Sequence, residues 1–312
     1  MNNNNLNINE ITKKFFIKSK FLSKLIPSLV VLFIRKSSAR RLDKLFLDIS
    51  KKLSIRNFID CGANDGKASS DAIKAGLNAL AIEPNPYSFK NMIVNPSDHF
   101  KKINVGLSDK EDILKFYILK GINTATNASF KIPKNLDDYD IISVPVVPLD
   151  KLIKDSEITD HLFSLWVDVE GMEKEFLKGA FEVLKNDNCV LIKIEFMNTK
   201  NFNDQGWSRD EIECFLNNLG YEAVYRDFEY STAHNILFLK SDYVTNVSIE
   251  IDDAFKDITK NINILNVSKF LIQHLKKKLL KRIKKIIIKI LGKKLGNIIA
   301  SSFGSKSSQK EL

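Results

Sequence analysis

From residue 56 onward, short apolar runs alternate with segments in which apolar residues recur every three or four positions. This alternation of strand-like and helix-like patterns predicts parallel β-α-β units within one α/β domain. We expect the strands to be Phe58–Cys61, Ala79–Glu83, Lys102–Val105, Leu162–Val169, Val190–Phe196, Glu222–Tyr225 and Asn235–Lys240.

A long insertion separates the third and fourth of these strands. Ile113–Leu119 and Ile142–Val147 alternate between apolar and polar residues, which predicts a β-hairpin. The centre of the insertion, Gly121–Ser129, is small and polar. It is interpreted either as a substrate-facing lid or as a solvent-exposed connection. Later in the chain, Ser208 and Glu211 form the pattern of a capping box.

Segments at both ends flank the α/β part, which we place at residues 56–243. Residues 1–55 mix basic and apolar residues at helical spacing and predict two helices in Ile11–Ser54, whose charge is interpreted as a solvated face. Residues 244–312 are interpreted as a linker followed by a basic amphipathic tail.

The net charge of +10 is concentrated in that tail. Ile258–Leu312 holds 14 of the 48 basic residues and one of the 38 acids, which leaves the remainder at −3. In Phe270–Ile299, isoleucines and leucines at helical spacing alternate with lysines, which predicts a helix lying in the interface of an anionic membrane. A helix packed on the core with a solvated lysine face is the alternative. Nucleic-acid binding is less favoured, because Phe270 is the one aromatic residue in this helix that could stack on bases.

Cysteine usage and the first residues bear on localisation. Cys61, Cys189 and Cys214 are odd in number, lie in apolar runs and lack metal-ligand spacing, so we expect buried, reduced thiols. The start of the chain lacks the pattern of a signal peptide. The apolar run Leu25–Ile34 is too short to span a bilayer. These features predict a cytoplasmic protein that attaches peripherally to the inner face of the membrane.

A candidate cofactor site follows the first predicted strand. Gly62 and Gly66 permit a sharp turn that brings backbone N–H groups against a ligand, and Glu83 ends the next strand, where an acid can hold ribose hydroxyls. A dinucleotide fingerprint would have a middle glycine, which this turn lacks. A nicotinamide enzyme of this kind would also need a Tyr-x-x-x-Lys pair, which we do not find. S-adenosylmethionine, with a ribose and no phosphate, fits better, although a turn that merely contains two glycines would produce the same pattern.

Three acids are expected at the same edge of the sheet. Asp168 and Glu170 end the fourth strand, and Glu195 lies at the end of the fifth. They could accept a hydroxyl proton or hold the methionyl ammonium, and Asp168 and Glu195 could ligate Mg²⁺. The alternative is that each acid caps a helix or pairs with a lysine. His234, just before the last strand, is a candidate base or else a surface histidine.

Four blocks in this order resemble the FkbM-type methyltransferase family over residues 58 to 239. They are Asp60–Gly66, Glu83–Pro86, Val144–Asp150 and Val167–Gly171 continuing through Leu177–Ala180. The resemblance implies a class I Rossmann-like, doubly wound sheet, with the inserted β-hairpin, N-terminal helices and basic C-terminal helix added. It also implies O-methylation with S-adenosylmethionine, often of sugars or natural products.

The resemblance also implies roles for individual residues. The residues expected to contact the methionyl part of the cofactor are Asp60, Gly62, Asn64 and Gly66, and Glu83 is expected to hold the ribose. Three further cofactor-binding candidates are Ala63, Pro84 and Ser108. Many relatives have a histidine after the acid of the fifth strand, whereas Phe196 follows Glu195 here. The base is therefore expected to be Asp168, Glu195 or His234, or the reaction proceeds by alignment without a strong base.

Taken together, these patterns predict an O-methyltransferase acting on a sugar hydroxyl of a surface glycan or its lipid-linked precursor. Two alternatives stay open. One is a methyltransferase for another small-molecule hydroxyl, and the other is a membrane-binding adaptor with a degenerate cofactor fold.

Overall fold

The computed structural model describes residues 28–94, 97–121, 128–133, 135–154, 156–197, 207–227 and 233–261. The predicted tail helix over residues 270–299 and most of the centre of the insertion, residues 122–127, lie outside the described residues.

Strands and helices alternate along the described chain as the sequence predicts. The strands are β1 Asn57–Cys61, β2 Asn78–Ile82, β3 Phe100–Ile103, β4 Gly106–Leu107, β5 Asp112–Leu119, β6 Ala128–Ser129, β7 Tyr139–Val147, β8 Phe163–Val167, β9 Cys189–Met197, β10 Tyr221–Arg226 and β11 Ala233–Lys240. The helices are α1 Ser28–Lys52, α2 Lys67–Lys74, α3 Pro86–Lys90, α4 Leu149–Leu152, α5 Glu173–Gly179, α6 Phe181–Lys185, α7 Arg209–Asn218 and α8 Ser248–Asn261. Short 3₁₀ turns occupy Leu136–Asp138, Glu157–Asp160, Ser241–Tyr243 and Thr245–Val247.

Seven strands form the central sheet in the order β10-β11-β9-β8-β1-β2-β3. The five strands from β9 to β3 run parallel, and β11 runs antiparallel to both β9 and β10. This arrangement confirms the class I Rossmann-like fold class. The antiparallel end was not expected from the sequence. It follows from the short β10–β11 connection, because a parallel crossover needs a dozen or more residues.

Helices cover both faces of this sheet, so its inner strands are buried on both sides. All five residues of β1 are buried. One face packs against α1, α2 and α8, with Phe46 of α1 edge-on to Phe58 at 5.8 Å between ring centroids. The other face packs against α4 to α7. The sheet is therefore held rigidly, and its carboxyl edge is left as the place for a ligand.

The insertion differs from the predicted hairpin. β5 and β7 pair along eight positions, as expected, but β4 and β6 add to them to form a second sheet in the order β4-β7-β5-β6. Its apolar face forms a small core of its own around Phe116, Ile118 and Val144. The second sheet lies against the carboxyl edge of the central sheet through β6, as the contacts described below demonstrate.

Several local expectations are confirmed and others are corrected. The capping box is present: the Ser208 Oγ accepts from the Glu211 N–H at 3.3 Å, and the Glu211 Oε2 accepts from the Ser208 N–H at 2.7 Å. The prediction that all three cysteines are buried was wrong, since Cys214 is exposed. It lies two residues from each of the buried Ile212 and Leu216, which places it on the opposite face of α7.

The flanking segments are only partly described. One of the two helices expected in residues 11–54 is α1, and residues 11–27 lie outside the described residues. Residues 248–261, expected to be a linker, form α8, whose Ile251, Ala254 and Phe255 are buried against the core. Among the residues described, no helix is long and apolar enough to cross a membrane.

Candidate functional site

The glycine turn after β1 brings three parts of the sheet edge together. The Gly62 and Ala63 N–H groups both donate to the Ile82 carbonyl of β2, at 2.9 and 3.0 Å. Gly62 has φ +87°, and a Cβ there would lie 1.9 Å from the Asp168 carbonyl oxygen. Only glycine permits this contact with the end of β8. Gly66, at φ +78°, then precedes α2.

Glu83 supports this turn from the end of β2. Its Oε2 accepts from the Asn64 N–H and its Oε1 from the Asn85 N–H, both at 2.7 Å. Burial raises the pKa of Glu83 to about 7, although the two backbone hydrogen bonds oppose that shift. Each carboxylate oxygen keeps a further acceptor position. A ribose hydroxyl that donates to Glu83 is therefore compatible with the hydrogen bonds already present.

Asp60 is engaged elsewhere. Its Oδ2 accepts from the Ser69 hydroxyl at 2.6 Å and from the Ser69 N–H at 3.0 Å, and its side chain is buried. Burial raises the pKa of Asp60 to about 6, against the effect of these hydrogen bonds. The carboxylate thus ties α2 to β1. The cleft described next is not lined by Asp60.

A cleft opens at this edge and encloses about 570 Å³ of space, open solvent included. Its polar side is formed by predicted site residues: Gly62, Asn64, Glu83, Pro84, Asp168 and Glu170. Its apolar side comes from the central sheet and from the inserted sheet: Ile82, Val105, Leu107, Val169 and Met172, with Phe116, Ala128 and Phe130. Acidic groups and aromatic and aliphatic groups therefore line the same cleft.

Asp168 and Glu195 form a hydrogen-bonded carboxyl pair beside this cleft. The pKa of Glu195 is raised to about 10, first by burial and then by the charge of Asp168 and the hydrogen bond that Glu195 donates to it. Burial also raises the pKa of Asp168, while that hydrogen bond and the charge of Lys193 lower it. The shared hydrogen bond thus raises the pKa of Glu195 and lowers that of Asp168, which favours Glu195 as the carboxyl that carries the proton between them.

Glu170 has an unusual backbone conformation. Its φ is +48°, in the left-handed region that residues with a Cβ rarely adopt. Burial, followed by the neighbouring charges of Asp168, Glu173 and Glu83, raises the pKa of its carboxyl to about 8. Such a perturbed acid lining a cleft is typical of functional sites.

The remaining predicted residues lie outside the lining of the cleft. Ser108 is buried, and its N–H donates to the Val147 carbonyl at 3.1 Å. Ala63 is buried in the core. His234 lies on β11 opposite Phe196, in the strand beyond Glu195.

Two site-supporting residues were missed by the sequence analysis. Lys193 is buried, with its Nζ 3.1 Å from the Asp43 Oδ1 and 3.4 Å from the centroid of the Trp166 ring. The one sequence feature that could have pointed to Lys193 is the presence of a lysine within an otherwise apolar strand. Gly179 of α5 allows close packing, since a Cβ there would lie 1.9 Å from the Ser108 carbonyl oxygen.

The side chains near Asp168 and Glu195 give limited support to the predicted Mg²⁺ site. Among the described residues, no group of three or more His, Cys, Asp or Glu side chains is arranged to hold a metal ion. Asp168 and Glu195 would have to lose their shared proton before both could ligate Mg²⁺.

Comparison with protein families decides the class of the chain. Residues 60–223 match the family described as the Methyltransferase FkbM domain. The chain belongs to this family. It is therefore a methyltransferase dependent on S-adenosylmethionine, which confirms the resemblance seen in the sequence. No curated protein sequence matches the chain.

Solved structures give distant matches to this FkbM-family chain. The magnesium protoporphyrin IX methyltransferase of Synechocystis PCC 6803, solved with bound S-adenosylmethionine, is 10% identical, with 77% of this chain and 100% of that one covered and a TM-score of 0.38. A TehB-like S-adenosylmethionine-dependent methyltransferase of Corynebacterium glutamicum is 11% identical, with coverages of 66% and 97% and a TM-score of 0.32. The precorrin-6y C5,15-methyltransferase of Geobacter metallireducens is 14% identical, with coverages of 64% and 86% and a TM-score of 0.31.

Proposed function

We propose that this enzyme transfers the methyl group of S-adenosylmethionine to a sugar hydroxyl of a surface glycan or its lipid-linked precursor. The observation that carries the proposal is the hydrogen-bonded Asp168–Glu195 carboxyl pair, whose Asp168 lines the cleft. An anionic carboxylate at this place can accept the proton that a hydroxyl loses when it is methylated.

The cleft is complementary to the cofactor. S-adenosylmethionine carries a sulfonium and an ammonium, and the acids at Asp168 and Glu170 would face these cations. Glu83 would hold the ribose, and the apolar side with Phe116 and Phe130 would receive the adenine. When bound, the cofactor supplies an electrophilic methyl group.

The protein's own part in the reaction is to orient the acceptor and manage one proton. The acceptor hydroxyl would donate a hydrogen bond to Asp168, which aligns its oxygen for in-line displacement. Glu195 donates a hydrogen bond to Asp168, which keeps the Asp168 carboxylate in one orientation. The acceptor hydroxyl has to lose its proton only as its oxygen gains positive charge during methyl transfer. A carboxylate with a raised pKa is a stronger base for that proton, and burial raises the pKa of Asp168.

The test compares Asp168→Asn with the wild type, using S-adenosylmethionine labelled in its methyl group and a panel of neutral sugar acceptors. We expect turnover at saturating S-adenosylmethionine to fall by roughly 10²- to 10⁴-fold because the amide cannot take up the proton, while the melting temperature changes little. Asp65→Asn, at an exposed acid of the same glycine turn, is the control. Unchanged turnover in Asp168→Asn would remove Asp168 as the base.

Two further measurements separate the remaining alternatives. Turnover that is lost on addition of a chelator and recovered with Mg²⁺ would favour the carboxyl pair as metal ligands. A folded wild-type protein that binds no S-adenosylmethionine in a calorimetric titration would support the adaptor and exclude the transferase.

A further inference from the structure

The strained turn at Glu170 is held by the inserted sheet. Glu170 and Gly171 both have positive φ, at +48° and +96°. A left-handed conformation at a residue with a Cβ persists only where its surroundings impose it. The residues that impose it here come from β6 and the segment that follows, far from Glu170 in the sequence.

Ser129 makes the central contact. Its Oγ donates a hydrogen bond of 2.7 Å to the Glu170 carbonyl oxygen. The same Oγ accepts from the Lys131 N–H at 3.0 Å. Because the Lys131 N–H occupies an acceptor position of the hydroxyl, the hydroxyl proton is left to point at Glu170.

Lys131 adds a second contact to the same turn. An added Cβ on Gly171 would lie 3.1 Å from the Lys131 Cγ and 3.4 Å from its Cε, so the lysine stem covers this glycine. The Lys131 Nζ lies 4.0 Å from the Glu175 Oε2, and the two side chains are largely buried. On the other side of the turn, the Gly171 N–H donates to the Glu173 Oε1 at 2.8 Å.

Ser129 also lies between two residues that line the cleft, Ala128 and Phe130. The rings of Phe130 and Phe116 are 4.7 Å apart, and the Phe130 ring lies against Gly106. A short stretch of chain thus forms part of the apolar wall of the cleft and also fixes the turn that carries an acid of its polar wall.

We propose that Ser129 is a positioning residue of the cofactor site, whose hydroxyl holds the Glu170 backbone so that the Glu170 carboxyl faces the cationic part of S-adenosylmethionine. This inference rests on the proposed function and deepens it. The inserted sheet then serves as a structural part of the cofactor site and not as a connection. Ser129 acts through Glu170 and need not touch the cofactor.

The test is a double-mutant cycle on cofactor affinity, measured by calorimetry with the full chain. Ser129→Ala should weaken binding of S-adenosylmethionine about five- to tenfold, and Glu170→Gln by at least as much. The double variant should bind no more than about twofold more weakly than Glu170→Gln alone, because the two residues act on the same contact. Ser129→Thr, which keeps the hydroxyl, should restore affinity to within about twofold of the wild type. Ser143→Ala, at an exposed serine of β7 in the same sheet, should match the wild type.

Hydrogen–deuterium exchange without cofactor provides a second measurement. Ser129→Ala should speed exchange in the peptide that covers residues 168–173, and Ser129→Thr should not. Additive effects in the cycle, no rescue by threonine, or unchanged exchange with unchanged affinity would each overturn the inference while leaving the transferase intact. A wild-type chain that binds no S-adenosylmethionine would overturn the proposed function and this inference together.

Discussion

At the scale of single residues, Gly62 carries both a backbone and a packing requirement. Its φ is +87°, and an added Cβ would meet the Asp168 carbonyl oxygen at 1.9 Å. The added Cβ is fixed to the backbone and the Asp168 oxygen is itself a backbone atom, so the collision cannot be relieved by a side-chain rotation. It requires β1 to move away from β8. Gly76 has a similar φ of +95° but has nothing within 4 Å of an added Cβ.

The pair Gly62→Ala and Gly76→Ala separates these two requirements. Gly76→Ala should lower the free energy of unfolding by about 1–2 kcal/mol, the cost of a left-handed alanine. Gly62→Ala should lower it by at least about 3 kcal/mol and abolish cofactor binding, because the strands must also separate. Urea unfolding of both variants measures the difference. Equal destabilisation would show that the Gly62–Asp168 contact relaxes at little cost.

Glu83 tests the ribose assignment. Glu83→Gln retains a carbonyl that can accept one of the two backbone N–H groups, from Asn64 or Asn85, but replaces an anionic acceptor with a neutral one. We expect affinity for S-adenosylmethionine to fall by about 1.5–3 kcal/mol, with Asp65→Asn as the unaffected control. Calorimetry checks both variants. Wild-type affinity in a folded Glu83→Gln would show that the ribose is held elsewhere.

Sequence reasoning found the residues whose positions follow from one strand and its end. Gly62, Glu83 and Asp168 could be predicted because parallel strands end at one edge of the sheet. Ser129 and Gly179 could not, because each acts on a carbonyl oxygen of a residue distant in the chain, at Glu170 and Ser108. Backbone-directed contacts of this kind leave no pattern in the spacing of residue types.

At the scale of elements, pattern length decided which strands were foreseen. The predicted strands of the central sheet agree with the structure to within two residues at each end, and β3, for example, begins at Phe100 instead of Lys102. β4 and β6 have two residues each, too few for an alternating pattern. The inserted sheet was therefore expected as a bare hairpin. Two-residue strands form here because β5 and β7 offer them an edge.

The tail is an element whose function can be tested separately from the domain. Deleting residues 262–312 retains every described residue, including α8 and its contact with the core, so cofactor affinity should be unchanged. Binding to vesicles that contain acidic lipid should be lost, and in the full chain it should weaken without vanishing as salt rises. Co-sedimentation measures both. Equal binding to neutral and acidic vesicles, or undiminished binding after the deletion, would exclude the tail as an electrostatic anchor.

At the scale of the whole molecule, charge is separated along the chain. The strongly basic tail region contrasts with a remainder at −3, which gathers buried acids at one sheet edge. Burial raises the pKa values of Asp60 to about 6 and of Glu83 and Glu173 to about 7. Ionising these buried acids without a positive partner lowers the free energy of unfolding of the cofactor-free chain. Binding of the cationic cofactor would offset this destabilisation.

This arrangement predicts the direction in which stability depends on pH. The folded-state pKa values of Asp60, Glu83 and Glu173 exceed their ordinary values of 3.8 and 4.5, so the folded chain binds more protons than the unfolded chain between about pH 4 and 7. The stabilising contribution of these groups is therefore fully present below pH 4 and is lost as pH rises through 6 and 7. For the fully buried Glu173 alone the loss is on the order of 3 kcal/mol.

Melting temperatures of the cofactor-free chain, measured from pH 5 to pH 8 at constant ionic strength, test this dependence. We expect the melting temperature to fall over that range and Glu173→Gln to fall less steeply, because its amide can still accept the Gly171 N–H but carries no titratable proton. Glu222→Gln, at an exposed acid of β10, should follow the wild type. Saturating S-adenosylmethionine should flatten the decline, since its positive charges favour the ionised acids that line the cleft. A melting temperature that rises from pH 5 to pH 8 in the cofactor-free chain would mean that these carboxyls are ionised and well paired in the folded state, and the edge would then be pre-formed for a neutral ligand instead of a cation.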